Sequence, residues 1–455
     1  MNDMAPGSFG IPFQITDPER IPAKRYYDPE FFRMENERLW PRVWQMAARL
    51  EEIPNVGDYQ TYEILGKSII IVHTKDGVKA FHNTCRHRGL ALVEGAGNCG
   101  RQGFVCPFHG WRWNTEGENT FVFAPHIFSP EVLDKAEINL IACRMELWGG
   151  MAWINLDDDA PALLDCLGPV AERMDVRNVD KLRADWWYGT VLPTNWKLAM
   201  EAFMESYHVM KTHPQLHMLA PSPQYASGIA ADPGAAAPTP REAVYGFYAF
   251  LERLSDGMAG LVHADEVKVA AKTKDMPLPD DVPGAIGAFF QQFKTDLHAD
   301  GQARGLAVPD INAVDASHPH KQVEFIFPHF FLLPFFGSMS SYRIRPLTSE
   351  TCLFEIWSLA FLPDDHVSPK EPTMLPFDSE DFPEVPRQDY NNLPRQQRGL
   401  HGFEEMRLSK DWEGLISNYQ RLIDGYLNRA DPKELASATQ LVNDGYDHTI
   451  IPLLV

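Results

Sequence analysis

Two short segments, each with one cysteine and one histidine, constrain this 455-residue chain more than any other feature. The first carries Cys85 and His87, and the second, after residues 88–105, carries Cys106 and His109. Thiolates and imidazoles are protein ligands for zinc, iron and other transition metals. The sequence therefore predicts one metal centre held by two Cys and two His.

This ligand set leaves two chemistries open. Structural zinc sites usually pair Cys with Cys and His with His, whereas each segment here is mixed. A mixed set suits a Rieske [2Fe-2S] cluster, in which two Cys hold one iron and two His hold the other. Gly89 lies two residues after His87, and Gly110 directly follows His109; glycine allows the backbone to approach a cluster closely. The sequence favours the cluster, with structural zinc as the alternative.

The amino-acid composition limits the kinds of molecule that this protein is expected to bind. A formal net charge of -21 disfavours nucleic acid and anionic membranes, and 44% hydrophobic with 23% charged residues is typical of a globular protein. The other four cysteines are too scattered for a disulfide framework, which indicates a reducing compartment. Neither a signal-peptide pattern nor an apolar run of membrane-spanning length is evident. We expect a cytoplasmic protein that binds neither nucleic acid nor membrane.

The period of the hydrophobic pattern divides the chain. Apolar residues recur at helical spacing from about Tyr27, and from about Gly57 the period changes to two, with Asp76-Gly77 as a hairpin turn. The acidic stretch at residues 157–161 contains a proline and has the composition of a linker. We predict a small β-domain at residues 45–158 that carries both metal-binding segments on loops. Residues 1–44 and 159–455 would form the rest.

A second group of candidate ligands lies downstream, on a predicted helix that Pro214 would end. The three-residue spacing of Glu205 and His208 lets the carboxylate hydrogen-bond the outer nitrogen of a metal-bound imidazole. His208 and His213 would lie about 140° apart on a regular helix, so sharing one metal requires a distortion near Lys211. Two such histidines are by themselves more often surface or capping residues. Their position downstream of the first centre favours a second metal site.

Together with Asn195-Trp196-Lys197, these motifs resemble the catalytic (α) subunit of the Rieske non-haem iron ring-hydroxylating oxygenases along nearly the whole chain. The resemblance implies one [2Fe-2S] cluster and one Fe(II) per chain, the latter held by two His and one carboxylate. It also implies an α+β fold, with the Rieske β-domain inserted in a helix-grip (START-like) catalytic domain built on an antiparallel sheet.

The resemblance assigns the third iron ligand. Asp389 precedes a Gln-Arg-Gly-Leu run at residues 397–400, as in the family's motif, so the implied triad is His208, His213 and Asp389. Three other acids compete for this role from the Pro-rich stretch just before the predicted helix. They are Asp378, Asp381 and Glu384.

Two positions depart from the family's usual pattern. Glu205 stands where an Asp is more common, as in members similar to carnitine oxygenases, and Ala202 stands where an Asn is common. Both differences concern the surroundings of the iron and leave its ligands unchanged.

The resemblance further implies a head-to-tail homotrimer, in which the cluster of one subunit lies beside the iron of its neighbour. Glu205 would link His208 to His109 across that interface. Electrons from NAD(P)H would come through a separate flavin reductase, with or without a ferredoxin, because the chain shows no glycine-rich dinucleotide motif. Whether a small β-subunit joins the trimer stays open.

Local patterns add elements to the second domain. Residues 323–327, 338–344 and 352–361 are strand-like, and residues 411–427 have helical periodicity. The Ala-, Pro- and Gly-rich segment at residues 220–240 is either a lid or a surface insertion without a role. Phe203 and Met204 are either pocket-lining or simple core.

Three functions remain. The first is a terminal oxygenase that uses O2 to mono- or cis-dihydroxylate an aromatic or other apolar organic substrate. The second, suggested by Glu205, is a quaternary-amine monooxygenase or demethylase of the carnitine-oxygenase type. The third is a non-catalytic electron carrier, which would need only the small β-domain and leaves about 300 residues of this chain unexplained.

Overall fold

Short strands dominate the first third of the chain. In the computed structural model, which describes residues 10–219, 238–257, 260–319, 321–445 and 449–454, this part forms three small sheets. Its strands are β1 (Arg20–Pro22), β2 (Gln45–Arg49), β3 (Asp58–Ile64), β4 (Lys67–Thr74), β5 (Gly77–His82), β6 (Ala96–Asn98), β7 (Phe104–Val105), β8 (Arg112–Trp113), β9 (Asn119–Phe121), β10 (Arg144–Trp148) and β11 (Met151–Asn155). The sheet orders are β5-β4-β3-β6, β7-β8-β9 and β10-β11-β2.

Glycine turns set the register of these hairpins. Gly77 has a φ of 113° in the predicted turn between β4 and β5. Gly149 and Gly150, with φ values of 64° and 72°, join β10 to β11. Glycine adopts positive φ without steric cost, which the two-residue loop Gly149–Gly150 requires; Gly77 uses the same freedom as the first residue of β5, after the loop residues Lys75 and Asp76.

A six-stranded sheet organises the rest of the molecule. Its strands are β12 (Arg183–Leu192), β13 (Glu324–Ile326), β14 (Phe330–Pro334), β15 (Met339–Thr348), β16 (Thr351–Ala360) and β17 (Thr373–Met374), and β18 (Glu405–Arg407) pairs separately with β1. The order is β13-β14-β15-β16-β12-β17. The predicted antiparallel sheet is confirmed, except that the two-residue edge strand β17 pairs in parallel with β12.

Helices pack against this sheet and at its ends. They are α1 (Pro29–Met34), α2 (Lys135–Ile138), α3 (Leu163–Leu167), α4 (Pro169–Asp175), α5 (Trp196–Glu201), α6 (Val209–Thr212), α7 (Pro240–Gly257), α8 (Ala264–Thr273), α9 (Val282–Ala303), α10 (Ile311–Ser317), α11 (Glu384–Leu400), α12 (Gly414–Asn428) and α13 (Pro432–Asp444). Helical structure predicted from Tyr27 onward is present in α1 and continues as a π turn and a 3-10 turn to Arg42. Within the described residues, none of the helices combines the length and apolarity that crossing a bilayer needs.

The N-terminal segment joins the large sheet domain through buried charges. Arg25 pairs with Asp424 of α12 at 2.6 Å, and Lys197 of α5 pairs with Glu35 at 2.6 Å, with all four side chains almost fully buried. Removing one partner of such a pair leaves an uncompensated buried charge, which is strongly destabilising. These contacts attach the N-terminal segment to α5 and α12. Both helices come after the small sheets in the sequence.

Candidate metal centres

The first centre is built from two loops with the same backbone geometry. In each loop the cysteine N–H donates to the carbonyl five residues further on, and the glycine N–H donates back to the cysteine carbonyl. The bonds are Cys85 N to Leu90 O (2.8 Å), Gly89 N to Cys85 O (2.9 Å), Cys106 N to Trp111 O (2.8 Å) and Gly110 N to Cys106 O (2.9 Å). Both glycines have positive φ, 78° and 71°, which explains why glycine follows each segment.

The two cysteines and two histidines of these loops lie together, with the cysteine sulfurs towards the protein interior and the histidine rings towards the surface. Cys85 and Cys106 are buried and free of disulfides, whereas His87 and His109 are partly exposed. Burial and the neighbouring Cys106 raise the pKa of the Cys85 thiol. The Nδ1 atoms of the two histidines lie 3.2 Å apart, and the His87 ring stacks on Trp111 at 5.1 Å. Paired thiols and paired imidazoles fit a cluster of two irons.

The second centre brings together three residues that the sequence singled out. Asp389 Oδ1 lies 3.0 Å from His213 Nε2 and 3.9 Å from His208 Nε2. One ligand atom of each residue lies within 4.8 Å of the others. Two imidazoles and one carboxylate are the donor set of non-haem Fe(II) oxygenases, so these residues fit the implied iron.

The competing acids stay outside this group. Asp378 and Asp381 precede α11, and Glu384 is its first residue. Among the described residues, the metal-compatible group at this centre contains Asp389 as its carboxylate. Asp389 is buried in α11, and the ring of the next residue, Tyr390, contacts Phe354 of β16.

The helix that carries the two histidines is distorted, mainly earlier than predicted. A regular helix ends at Glu201, and helical structure resumes only at Val209, so no continuous helix runs through Glu205. The turn at Lys211 is regular rather than π-helical, because the His213 N–H donates to Val209 O. His213 itself leaves helical geometry, with φ -121° and ψ 62°. This departure lets both rings point towards Asp389.

Hydrogen bonds fix the outer nitrogen of each histidine. His208 Nδ1 lies 2.6 Å from Glu205 Oε1, as the spacing predicted, and the His208 backbone N–H donates to Glu205 Oε2 at 2.9 Å. Burial alone would lower the pKa of His208, but the bond to Glu205 and the charges of Glu205 and Asp389 raise it. A proton held at Nδ1 leaves Nε2 free as a metal ligand.

The hydrogen-bond partner of His213 was not predicted from the sequence. His213 Nδ1 lies 2.6 Å from Gln388 Oε1, which also accepts a hydrogen bond from Gln215 Nε2 at 2.8 Å. Gln388 therefore accepts a hydrogen bond from His213 Nδ1, as Glu205 does from His208 Nδ1. Its only signal in the sequence was its position directly before Asp389.

Gln388→Leu should lower the affinity of the second centre for Fe(II) by about 10- to 100-fold, the usual cost of removing a partner of a ligating histidine. Gln388→Glu, which keeps an acceptor oxygen, should retain most of it. Iron titration of the apo-protein measures the effect, with Gln396→Leu on an exposed position of α11 as the control. Equal affinity in Gln388→Leu and wild type would show that Gln388 does not orient His213.

Aromatic side chains line the sheet face beside the second centre. The Phe203 ring lies 4.4 Å from Phe331 and 5.1 Å from Tyr342, and Tyr390 contacts Phe354 at 5.3 Å. Burial, and to a smaller degree the charge of Asp389, raises the pKa of Tyr342, which places Tyr342 within electrostatic reach of the triad. Phe203 thus belongs to this aromatic wall, whereas Met204 is buried in the hydrophobic core. Most of the predicted loop at residues 220–240 lies outside the described residues.

Two protein-family models match this chain. Residues 43–126 match the sequence model of the Rieske [2Fe-2S] domain, and residues 171–429 match that of the catalytic domain of the ring-hydroxylating alpha subunit. The first match decides for the cluster over the zinc alternative.

Similar proteins act on chemically different compounds. The carnitine monooxygenase oxygenase subunit of Escherichia coli (strain K12) is 32% identical over 197 residues, 43% of this chain and 52% of that protein. The alpha subunit of chlorobenzene dioxygenase from Cupriavidus sp. (strain PS12) is 34% identical over 206 residues, 42% of this chain and 44% of that protein. The aligned part thus spans about half the length of these relatives.

The fold has a solved counterpart. The structure of naphthalene 1,2-dioxygenase with indole bound in its active site superposes with a TM-score of 0.62 at 20% identity, covering 96% of this chain and 99% of that one. The α+β arrangement of a Rieske domain and a catalytic domain is thereby confirmed.

Proposed function

This chain belongs to the family of ring-hydroxylating alpha subunits, and from that premise we propose that it is the terminal oxygenase component of a Rieske non-haem iron system. It would use O2 and electrons from NAD(P)H to hydroxylate an organic substrate. The observation that carries the proposal is the convergence of His208, His213 and Asp389 in a chain that also holds four Rieske-type ligands. An electron carrier would have no use for the second site.

The proposed ligands divide between the two sites. Cys85, His87, Cys106 and His109 would hold the cluster, and the histidine-carboxylate triad would hold Fe(II). When bound, the cluster supplies single electrons and Fe(II) supplies the place where O2 is reduced. Glu205 and Gln388 keep a proton on the Nδ1 atoms of the triad histidines, so that both Nε2 atoms face Asp389.

The proposed assembly is a homotrimer with electron transfer between neighbouring subunits. Two features of the single chain support it. The histidine side of the first centre is partly exposed, with the Phe108 ring 60% exposed beside His109. At the second centre, Glu205 and His208 are also partly exposed, next to a 62% exposed Tyr207. Exposed apolar residues beside both centres suit a subunit interface.

The proposal divides the chain into the two domains expected from the sequence. The Rieske domain would comprise residues 45–158, and residues 1–44 and 159–455 would form the catalytic domain. A separate flavin reductase, with or without a ferredoxin, would supply the electrons.

The aromatic wall favours an arene or another largely apolar substrate, because ring faces stack with aromatic ligands. The same wall would also accept a quaternary ammonium group through cation–π attraction. Glu205 and the similarity to carnitine monooxygenase support that second candidate, a quaternary-amine monooxygenase or demethylase.

A single-turnover experiment tests the proposal. The protein is chemically reduced, freed of reductant, and mixed with ¹⁸O₂ and a panel of arenes, aryl acids, methoxyarenes and quaternary amines. Mass spectrometry should find label in one class of compound. Two labelled oxygens identify a dioxygenase, whereas one label or loss of a methyl group identifies a monooxygenase or demethylase. Cluster oxidation with no product from any class would count against an oxygenase.

A further inference from the structure

A buried carboxylate lies at the end of α5, directly before the irregular segment that leads to His208. Glu201 is the last residue of α5 and is buried. The Tyr26 hydroxyl lies 3.0 Å from both of its carboxylate oxygens, and Gln420 Nε2 donates a hydrogen bond to Oε1. Tyr26 ends the 3-10 turn Ala23–Tyr26 of the N-terminal segment, and Gln420 lies in α12. Glu201 therefore ties the end of α5 to two segments that are distant in the sequence.

The backbone of Glu201 forms the turn that follows α5. The Glu201 carbonyl accepts a hydrogen bond from the Met204 N–H at 2.9 Å, and the Phe203 N–H donates to Met200 O at 3.1 Å. Both bonds span three residues rather than four, which is the 3-10 pattern with which helices often end. The turn brings Phe203 to the aromatic wall, and Glu205 is the next residue after it. The position of Glu201 therefore affects both the wall and the hydrogen-bond partner of His208.

The buried charges around Glu201 are unequal in number. Arg25 pairs with Asp424 and Lys197 pairs with Glu35, each at 2.6 Å. Among the residues that the structure describes, no Lys, Arg or His nitrogen lies within ion-pair distance of Glu201. Glu201 is thus a third carboxylate beside two cations that are already paired. Hydrogen bonds and longer-range attraction alone oppose the cost of burying its charge.

This environment changes the ionisation of Glu201. Burial raises the pKa of Glu201 to about 7, while the hydrogen bonds from Gln420 and Tyr26 and the charges of the two cations lower it. The ionised form accepts hydrogen bonds from both donors, whereas the protonated form turns one oxygen into a donor. Helix α11 faces the network through the neutral Gln397, whose Nε2 donates to Tyr26 O at 3.1 Å. Among the described residues, the titratable and charged groups of the N-terminal segment, α5 and α12 that surround Glu201 are Arg25, Tyr26, Glu35, Lys197, Tyr419 and Asp424.

We propose that Glu201 is a positioning residue for the oxygenase reaction, and that its anionic form fixes the turn at residues 201–204. The turn then sets where Phe203 and Glu205 lie. Protonation weakens the bonds to Tyr26 and Gln420 and loosens the turn, so the fixed form predominates at alkaline pH. The effect on turnover rests on the proposed function, whereas the effect on the turn does not.

Hydrogen exchange of the peptide that covers residues 202–208 tests the positioning in the holo-protein without turnover. After correction for the intrinsic pH dependence of amide exchange, wild type should gain about fivefold protection as the pH rises through about 7, the effect of about one hydrogen bond. Glu201→Gln cannot ionise and should lack this step. Tyr26→Phe removes a donor to the anion and should move the midpoint of the step to higher pH.

Glu266→Gln is the matched control. Glu266 is a buried acid of α8 whose pKa burial likewise raises to about 7, and it accepts a hydrogen bond from Ser338. The variant keeps every other titrating group and should show the wild-type exchange step. The rate of substrate-dependent cluster oxidation should rise with pH in wild type and in Glu266→Gln, and should stay near the low-pH rate of wild type in Glu201→Gln.

Thermal unfolding separates positioning from general damage. A carboxyl group whose pKa is higher in the folded than in the unfolded protein makes the fold less stable as the pH rises between the two values. For Glu201 this window runs from 4.5 to about 7, so above it Glu201→Gln should unfold at the same temperature as wild type or at a higher one. A lower unfolding temperature together with an unchanged exchange step would show a merely structural role.

Two results of the exchange experiment would overturn the proposal. They are a wild-type step in Glu201→Gln and an unchanged midpoint in Tyr26→Phe. If Glu201→Gln lost the visible spectrum of the cluster and so failed to fold, the midpoint in Tyr26→Phe would decide alone. An exchange step that depends on Glu201 in a protein without turnover would uphold the positioning of the turn and reject only the oxygenase function.

Discussion

Asp389→Ala should produce a protein that keeps its [2Fe-2S] cluster but loses its mononuclear iron, with turnover at the background of the assay. Among the described residues, the substitution removes the carboxylate of the group that Asp389 forms with His208 and His213. Two neutral imidazoles alone neutralise none of the charge of Fe(II) and leave it weakly held. Iron analysis, the visible spectrum of the cluster and single-turnover product formation measure the three quantities separately.

Asp378→Ala is the matched control for this variant. Asp378 is exposed, lies eleven positions earlier, and competed with Asp389 in the sequence. It should retain both metals and full turnover. The assignment of Asp389 would be rejected by full iron occupancy in Asp389→Ala, and the electron-carrier function would be favoured if wild type itself bound no mononuclear iron.

Glu205→Gln should slow substrate-dependent oxidation of the reduced cluster by about 100-fold or more while most of the mononuclear iron stays bound. The expected size is that of losing a group that places reacting partners, where small misplacements cost about 10²-fold. The variant loses the carboxylate charge that holds the proton on His208 Nδ1. It also loses the proposed link to His109 of the neighbouring subunit. Rapid mixing with O2 and substrate follows the cluster absorbance.

Two controls separate this role from general damage. Glu404→Gln makes the same chemical change at an exposed position and should oxidise like wild type. Glu205→Asp, which restores the acid more common in the family, should recover part of the rate. A wild-type rate in Glu205→Gln would show that electrons reach the iron by another route.

Mixed oligomers test directly whether electrons pass from the cluster of one subunit to the iron of its neighbour. Cys106→Ser removes the cluster from one chain, and Asp389→Ala removes the iron site from another, so neither protein should turn over alone. Co-expression should restore activity if the cluster of one subunit serves the iron of its neighbour. Inactive mixed oligomers would mean that each chain transfers electrons internally.

The candidate metal ligands that the sequence indicated lie close together in the structure where their spacing in the chain is short. Each Cys/His segment lies on one loop, and the three-residue spacing from Glu205 to His208 brought those side chains within hydrogen-bond distance. Local spacing is informative here because a few covalent links limit how far apart such atoms can lie. The location of the helix distortion was predicted less well, since the break at Glu201 depends on packing around α5.

Contacts between distant segments needed the tertiary structure. Gln388 meets His213 across 175 positions in the sequence, and Arg387 lines a pocket together with residues of β12 and α7. The parallel pairing of β17 with β12 is likewise a long-range contact. Such distances follow from how α11 lies on the sheet, which no local pattern specifies.

By itself, the sequence determined which donors this protein offers to metals, that they form two sets, and that small β and larger α+β units carry them. Residue type and short spacing suffice for this, because they act within one loop or one turn of a helix. Only the tertiary structure decided that α11 brings Asp389 to the two histidines and places Gln388 within hydrogen-bond distance of His213. Those placements depend on how α11 packs against α5 and α7, which is set by the packing of the whole core.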